Sequence, residues 1–169
     1  VPTVAVPLGP ALEDGLPFYG IGGGGGLEGE LVPGFLPFAL LRFGIDAELL
    51  PINQAEGALT LVSAGGGAGA RLRAGARFTL KAWGGGGIYM GMVEAGTVRN
   101  PFWEAGAGIG LRLGPTLELT LGGRYRDFLT PTGSLCRGVS IAAGVGYDLA
   151  GARKGGSIRM EPSLRPIFP

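Results

Sequence analysis

The sequence predicts an all-β protein, an antiparallel, up-and-down transmembrane β-barrel of about eight strands. Three observations lead there. Apolar and polar residues alternate with a period of two over segments of a dozen residues or more, which gives each segment two chemically different faces. The 169 residues include 36 glycines, yet mean hydropathy is +0.33. The chain is therefore too apolar for disorder and too Gly-rich for helices, each Gly costing about 1 kcal/mol in a helix interior. No run of about 18 apolar residues occurs, so a transmembrane helix is not expected.

Residues 1–8 form a weak first strand, because Pro2 and Pro7 confine it to an edge or terminal position. Residues 18–31 form a Gly-rich second strand. In 36–50, Leu41, Phe43, Ile45, Ala47 and Leu49 oppose Arg42, Gly44, Asp46 and Glu48. Residues 58–73 repeat the pattern with more Gly. In 77–92, Phe78, Leu80, Ala82, Ile88 and Met90 oppose Arg77, Thr79, Lys81 and Trp83. In 102–113, Trp103, Ala105, Ala107, Ile109 and Leu111 oppose Phe102, Glu104, Gly106 and Arg112. Residues 116–128 place Leu117, Leu119, Leu121 and Tyr125 against Glu118, Thr120, Arg124 and Arg126. Residues 136–149 place Val139, Ile141, Val145 and Tyr147 against Ser140, Gly144 and Asp148. Segments this long exceed the 5–6 residues usual for soluble strands. They suit tilted strands that need about 9–11 residues to cross a bilayer.

Tight turns are expected at 32–34, 73–75 and 114–115, and longer loops at 8–17, 51–57, 93–100 and 129–135. Short turns at one end and long loops at the other is the layout of an outer-membrane barrel. It would put both termini on the periplasmic side and the long loops outside the cell.

Alternation alone also fits a soluble sandwich with its apolar face inward. Three features favour the inverted arrangement: strand length, the persistence of the apolar face, and the aromatics Phe43, Phe78, Trp103, Tyr125 and Tyr147 near strand ends, as in interfacial girdles. Inversion turns the polar face into a lumen. Its cations are Arg42, Arg71, Arg73, Arg77, Lys81, Arg112, Arg124 and Arg126. Its anions are Glu28, Glu30, Asp46, Glu48, Glu104, Glu118 and Asp148. Eight strands enclose a space that side chains just fill, and an unpaired buried charge costs several kcal/mol. These residues are therefore read as a structural ion-pair network that plugs the barrel. The glycines are read mainly as easing the curvature of a narrow barrel. Making room for long inward side chains, or for close packing between barrels, are the other uses considered.

Most catalytic and binding classes are disfavoured. Net charge is +1, so no nucleic-acid partner is expected. There is no His and one Cys, Cys136, so the commonest general base, an intrachain disulfide and a thiolate zinc site are all missing. Glycine clusters at 22–26, 84–87 and 106–110 open no predicted helix and precede no Lys-Ser or Lys-Thr, which a phosphate cradle needs. The carboxylate pairs Glu28/Glu30 and Asp46/Glu48 lie among arginines that neutralise them alike, whereas acid–base catalysis needs pKa values driven apart. Ser134 and Cys136 lack a base. The chain is read as non-enzymatic, with no cofactor and no metal.

The segment Phe102-Trp103-Glu104-Ala105-Gly106-Ala107-Gly108, with 119–125 and 139–149, resembles the outer-membrane protein A-like and opacity-type eight-stranded β-barrel superfamily. The Gly-rich form resembles barrel domains of spirochaete surface proteins. The resemblance covers residues 1–149 and implies a bacterial outer-membrane location with lipid as the partner. It also implies a structural or anchoring role, packing with copies of itself or with other envelope proteins. The alternative is a small pore or transport barrel for ions or apolar ligands. Family members that end with the barrel finish on an aromatic residue of the last strand. Here residues 150–169 follow, with three prolines. This tail is expected to lead toward a periplasmic domain, the alternative being that 157–168 is the closing strand and 1–8 a leader.

Overall fold

The computed structural model describes residues 1–8, 18–53, 57–94 and 96–147. They form β1 (Pro2–Pro7), β2 (Gly22–Leu31), β3 (Ala39–Pro51), β4 (Ala58–Ala74), β5 (Phe78–Val93), β6 (Gly96–Arg112), β7 (Leu117–Thr130) and β8 (Gly133–Tyr147). Each strand pairs antiparallel with the next, and β8 pairs with β1, closing the sheet into a barrel. The order β1 to β8 around the ring is the up-and-down order expected from the sequence. Closure gives every strand a hydrogen-bonded neighbour on each side.

The alternation sorts side chains as the inverted reading required. Leu41, Phe43, Ile45, Leu49, Phe78, Leu80, Ile88, Trp103, Ile109, Leu119, Leu121, Ile141, Val145 and Tyr147 are exposed on the outside, while Asp46, Glu48, Lys81, Glu104, Arg124 and Arg126 are buried within. Side chains on one face of a pleated strand recur every second residue, so a single parity assignment carries the whole strand to one side.

The connections depart from expectation. At one end they are 32–38, 75–77 and 113–116; at the other they are 8–21, 52–57, 94–95 and 131–132. The loops expected at 93–100 and 129–135 are strand. Val93 pairs with Gly96, Met90 with Arg99 and Ile88 with Pro101, and Thr130 pairs with Gly133. Polar residues such as Thr97, Arg99 and Asn100 look like loop in isolation, but the partner strand satisfies their backbone. Gly96 and Gly133 sit at φ 152° and 153°, a conformation that residues with a Cβ rarely adopt, and so permit these two-residue turns. The expected contrast between a short-turn end and a long-loop end is thus reduced to the first connection, since 52–57 is no longer than 32–38 at the opposite end. Residues 148–169, which include Asp148 and the whole tail, lie outside the described residues.

Gly106 serves side-chain packing as well as curvature. A Cβ on Gly106 would overlap the Trp83 indole ring, which lies across the lumen face of β6. Gly106→Ala is therefore expected to lower the unfolding free energy by about 1–3 kcal/mol, the usual range for overpacking. Equilibrium urea unfolding in the medium that keeps the chain folded measures this. A double-mutant cycle with Trp83→Ala should recover most of the loss, and additive losses would show that the clash is not the cause.

Candidate functional site

The lumen is layered. At the end carrying loops 8–21 and 52–57 it is apolar: Tyr19, Leu50, Leu59, Leu61, Tyr89, Phe102, Phe128 and Cys136 form one buried cluster. Tyr89 meets Phe128 edge to face at 5.0 Å, and Phe102 lies 5.7 Å from Phe128. The Tyr89 hydroxyl donates to the Leu129 carbonyl at 2.7 Å, so its polar end is satisfied. Burial raises the pKa of Tyr19, which lies in the first loop.

Below this cluster two arginines from β7 cross the lumen. The Arg124 Nη2 donates to Asp46 Oδ1 at 2.9 Å and to Glu48 Oε1 at 3.2 Å, its Nη1 donates to Glu28 at 3.2 Å, and its Nε donates to the Ser140 hydroxyl at 3.1 Å. Arg126 donates to Asp46 Oδ2 at 2.6 Å, to Glu104 Oε2 at 2.8 Å, to Glu48 at 3.3 Å and to the Ser63 hydroxyl at 3.3 Å. Its guanidinium also lies 5.3 Å from the Phe102 ring centre, joining the ionic layer to the apolar one. Since β3 and β7 are four places apart in an eight-strand ring, these bonds tie opposite walls together. Two planar guanidinium groups can serve this many acceptors because each presents five donors in a fixed fork.

Toward the other end lies a second ionic layer. Lys81 Nζ stands 2.7 Å from Glu30 and 2.8 Å from Glu118. Arg71 and Arg112 reach the same Glu118 at 3.2 and 3.8 Å. Arg42 pairs with Glu28 and stacks on Trp83, its guanidinium carbon 3.9 Å from the ring centre. Trp83 Nε1, Thr79 Oγ1 and Arg71 Nε are buried without a hydrogen-bond partner among the described residues. Trp83 lines a space of about 50 Å³ beside Glu28, Glu30, Arg42 and Lys81, which is room for a few water molecules and no more.

Twelve of the fifteen charged residues assigned to the lumen from sequence enter this network: Glu28, Glu30, Arg42, Asp46, Glu48, Arg71, Lys81, Glu104, Arg112, Glu118, Arg124 and Arg126. Six are basic and six acidic, so the network is neutral. Arg73 and Arg77 do not enter it. Arg73 lies at the end of β4 and Arg77 in the turn at 75–77, and both are exposed, because the β4–β5 hairpin runs past the last lumen layer there. Asp148 lies outside the described residues. Sequence reading missed the apolar layer, although Tyr89, Phe102 and Phe128 share a parity with Lys81, Glu104 and Arg126 of their own strands. No group of three or more His, Cys, Asp or Glu able to hold a metal occurs among the described residues.

Fold and lumen together define the class: a closed eight-stranded antiparallel barrel with a charged, internally paired interior and an apolar exterior. No protein-family model, curated protein or solved structure matches the chain.

Removing one member of a buried ion-paired set leaves its partners charged and unpaired, at a cost of about 3–5 kcal/mol. Arg126→Met is expected to fall in that range, because it strands Glu104 and takes one of two arginines from Asp46 and Glu48. Arg73→Met, at the exposed end of β4, should change stability by less than about 0.5 kcal/mol. The two unfolding midpoints, compared under one condition, check both values.

Proposed function

We propose that this chain is a transmembrane barrel of a bacterial outer membrane, with a structural or anchoring role and a plugged lumen. The observation that carries the reading is the outer wall. Large apolar side chains of β3, β5, β6, β7 and β8 stand exposed around it, while six basic and six acidic side chains turn inward and pair with one another. Soluble monomers rarely expose a contiguous apolar surface beyond a few hundred Å², whereas hydrocarbon is a good solvent for such a wall. Trp103 stacks beside Tyr125 on the outside at 5.1 Å toward one end, and Phe78 and Tyr147 stand exposed toward the other. That spacing supports two aromatic girdles.

Anchoring is favoured over conduction because Arg124 and Arg126 span the lumen between β7 and β3, with an apolar layer stacked on them. An ion would have to break several charge-assisted bonds to pass. Outward Ala64, Gly66, Ala68, Gly84, Gly86, Ala105 and Ala107 give part of the wall a smooth surface, where copies of the barrel would approach closely. The reading assigns the chain no catalytic reaction.

Two measurements test this reading. Ile109→Arg, on the outer face, should destabilise the barrel by about 2–4 kcal/mol in lipid vesicles, the cost of a cation at the bilayer midplane. In a soluble protein the same exposed position would tolerate it within about 0.5 kcal/mol, and a detergent-free, monodisperse chain with that tolerance would refute the membrane reading. In planar bilayers the protein should give no steady conductance, and a salt-dependent current would replace the plugged barrel with a pore.

A further inference from the structure

Two cations that the sequence assigns to the lumen stay outside its network. Arg73, near the end of β4, and Arg77, in the turn that follows, are exposed and have no ion-pair partner among the described residues. Arg71, Lys81 and Arg112 reach the same end of the barrel and already share its two acids, Glu30 and Glu118. Among the described residues, five cations thus stand there against two carboxylates. The turn also places the two spare arginines together. Arg73 pairs with Thr79 across the β4–β5 ladder. The Arg112 N–H donates to the Arg77 carbonyl at 2.7 Å, which carries the β5–β6 pairing through Arg77. Gly75, at φ 71°, makes the tight reversal between them. Arg77 stands two residues from Thr79, so Arg73 and Arg77 are diagonal neighbours on one face, about 7–8 Å apart. Two guanidinium forks at that spacing can reach one phosphate group.

The apolar side chains around them point to the source of that phosphate. Leu72 and Phe78, next to the two arginines in sequence, are 59 % and 54 % exposed on the outer face. The neighbouring connection 32–38 presents Phe35 and Phe38, which are exposed as well. The Phe38 carbonyl accepts from the Arg71 N–H at 2.7 Å, which fixes that connection beside the end of β4. A soluble phosphate ester has no use for such an apolar rim, whereas a lipid does. We propose that Arg73 and Arg77 bind the phosphate of an anionic phospholipid headgroup, with Leu72, Phe78, Phe35 and Phe38 set against the upper part of its acyl chains. This rests on the membrane reading above and adds to it a lipid class and the end of the barrel that takes it. The heights agree. A headgroup layer is about 5–7 Å deep. Arg77 lies one residue past Phe78, about 3 Å along the strand, and its long side chain can cover the rest. With Phe78 at the hydrocarbon boundary, the guanidinium groups reach the phosphates. An anionic headgroup is preferred to a zwitterionic one, because the latter brings a cation of its own to a surface already in cationic excess.

Native mass spectrometry of the full chain tests this, with the protein released from detergent micelles that carry phosphatidylglycerol, phosphatidylcholine or neither. One phosphatidylglycerol should stay bound at concentrations where phosphatidylcholine does not. Arg73→Gln combined with Arg77→Gln should weaken its binding about tenfold or more, each cation at an anionic surface being worth about a factor of five. Arg99→Gln, an exposed cation at the opposite end, should leave it unchanged. Both arginines are exposed, so the double variant should keep the β-sheet circular dichroism of the unaltered chain. Inorganic phosphate at matched ionic strength should not displace the lipid. Displacement by millimolar phosphate would assign the arginines to a free phosphate ester and overturn the lipid assignment. Equal retention of phosphatidylcholine would overturn it too, as would undiminished binding in the double variant, or a lipid-free dimer that needs the two arginines. Failure of the unaltered chain to insert into phosphatidylcholine vesicles would refute the membrane reading itself. Insertion there with no preference for phosphatidylglycerol would refute only the headgroup site.

Discussion

Everything inside this barrel depends on the two β7 arginines reaching across to β3. An eight-stranded ring leaves an interior too narrow for bulk water, so a charge placed there must find its counter-charge on another strand. Arg124 and Arg126 share Asp46 and Glu48, and their remaining donors take up Glu28, Glu104, Ser63 and Ser140. Five strands other than their own are thereby held to β7 by a few fork-shaped groups. The wall supplies hydrogen bonds between neighbours only. The arginines supply the contacts across the ring that neighbour pairing cannot make.

The remaining layers follow from that central one. The apolar cluster above it covers the Arg126 side chain and keeps water from competing for its bonds. The Lys81–Glu118 layer below repeats the same logic with longer reach, one carboxylate serving three cations. Glycine makes the layers fit. Where Trp83 or Glu118 swings into the lumen, the facing positions on β6 are Gly106 and Gly110, because a Cβ there would occupy the space that the larger side chain needs. Curvature alone would not select those positions. On the outer face Gly29 does the same for the Phe43 ring.

The strands, their up-and-down order and the side of the wall each residue faces were legible in the sequence. They follow from a period-two pattern that any extended chain translates directly into two faces. Twelve lumen charges could be named for the same reason. Which of them touch could not, because Arg126 and Asp46 are 80 residues apart and meet only through the ring's register. Turn lengths also escaped, since the polar residues 97–100 become strand only when β5 is alongside to pair with them. The exposure of Arg73 and Arg77 depends on how far two strands overrun the last layer. Parity is a local property of the chain, whereas contact across a lumen is set by closure, which no single segment encodes.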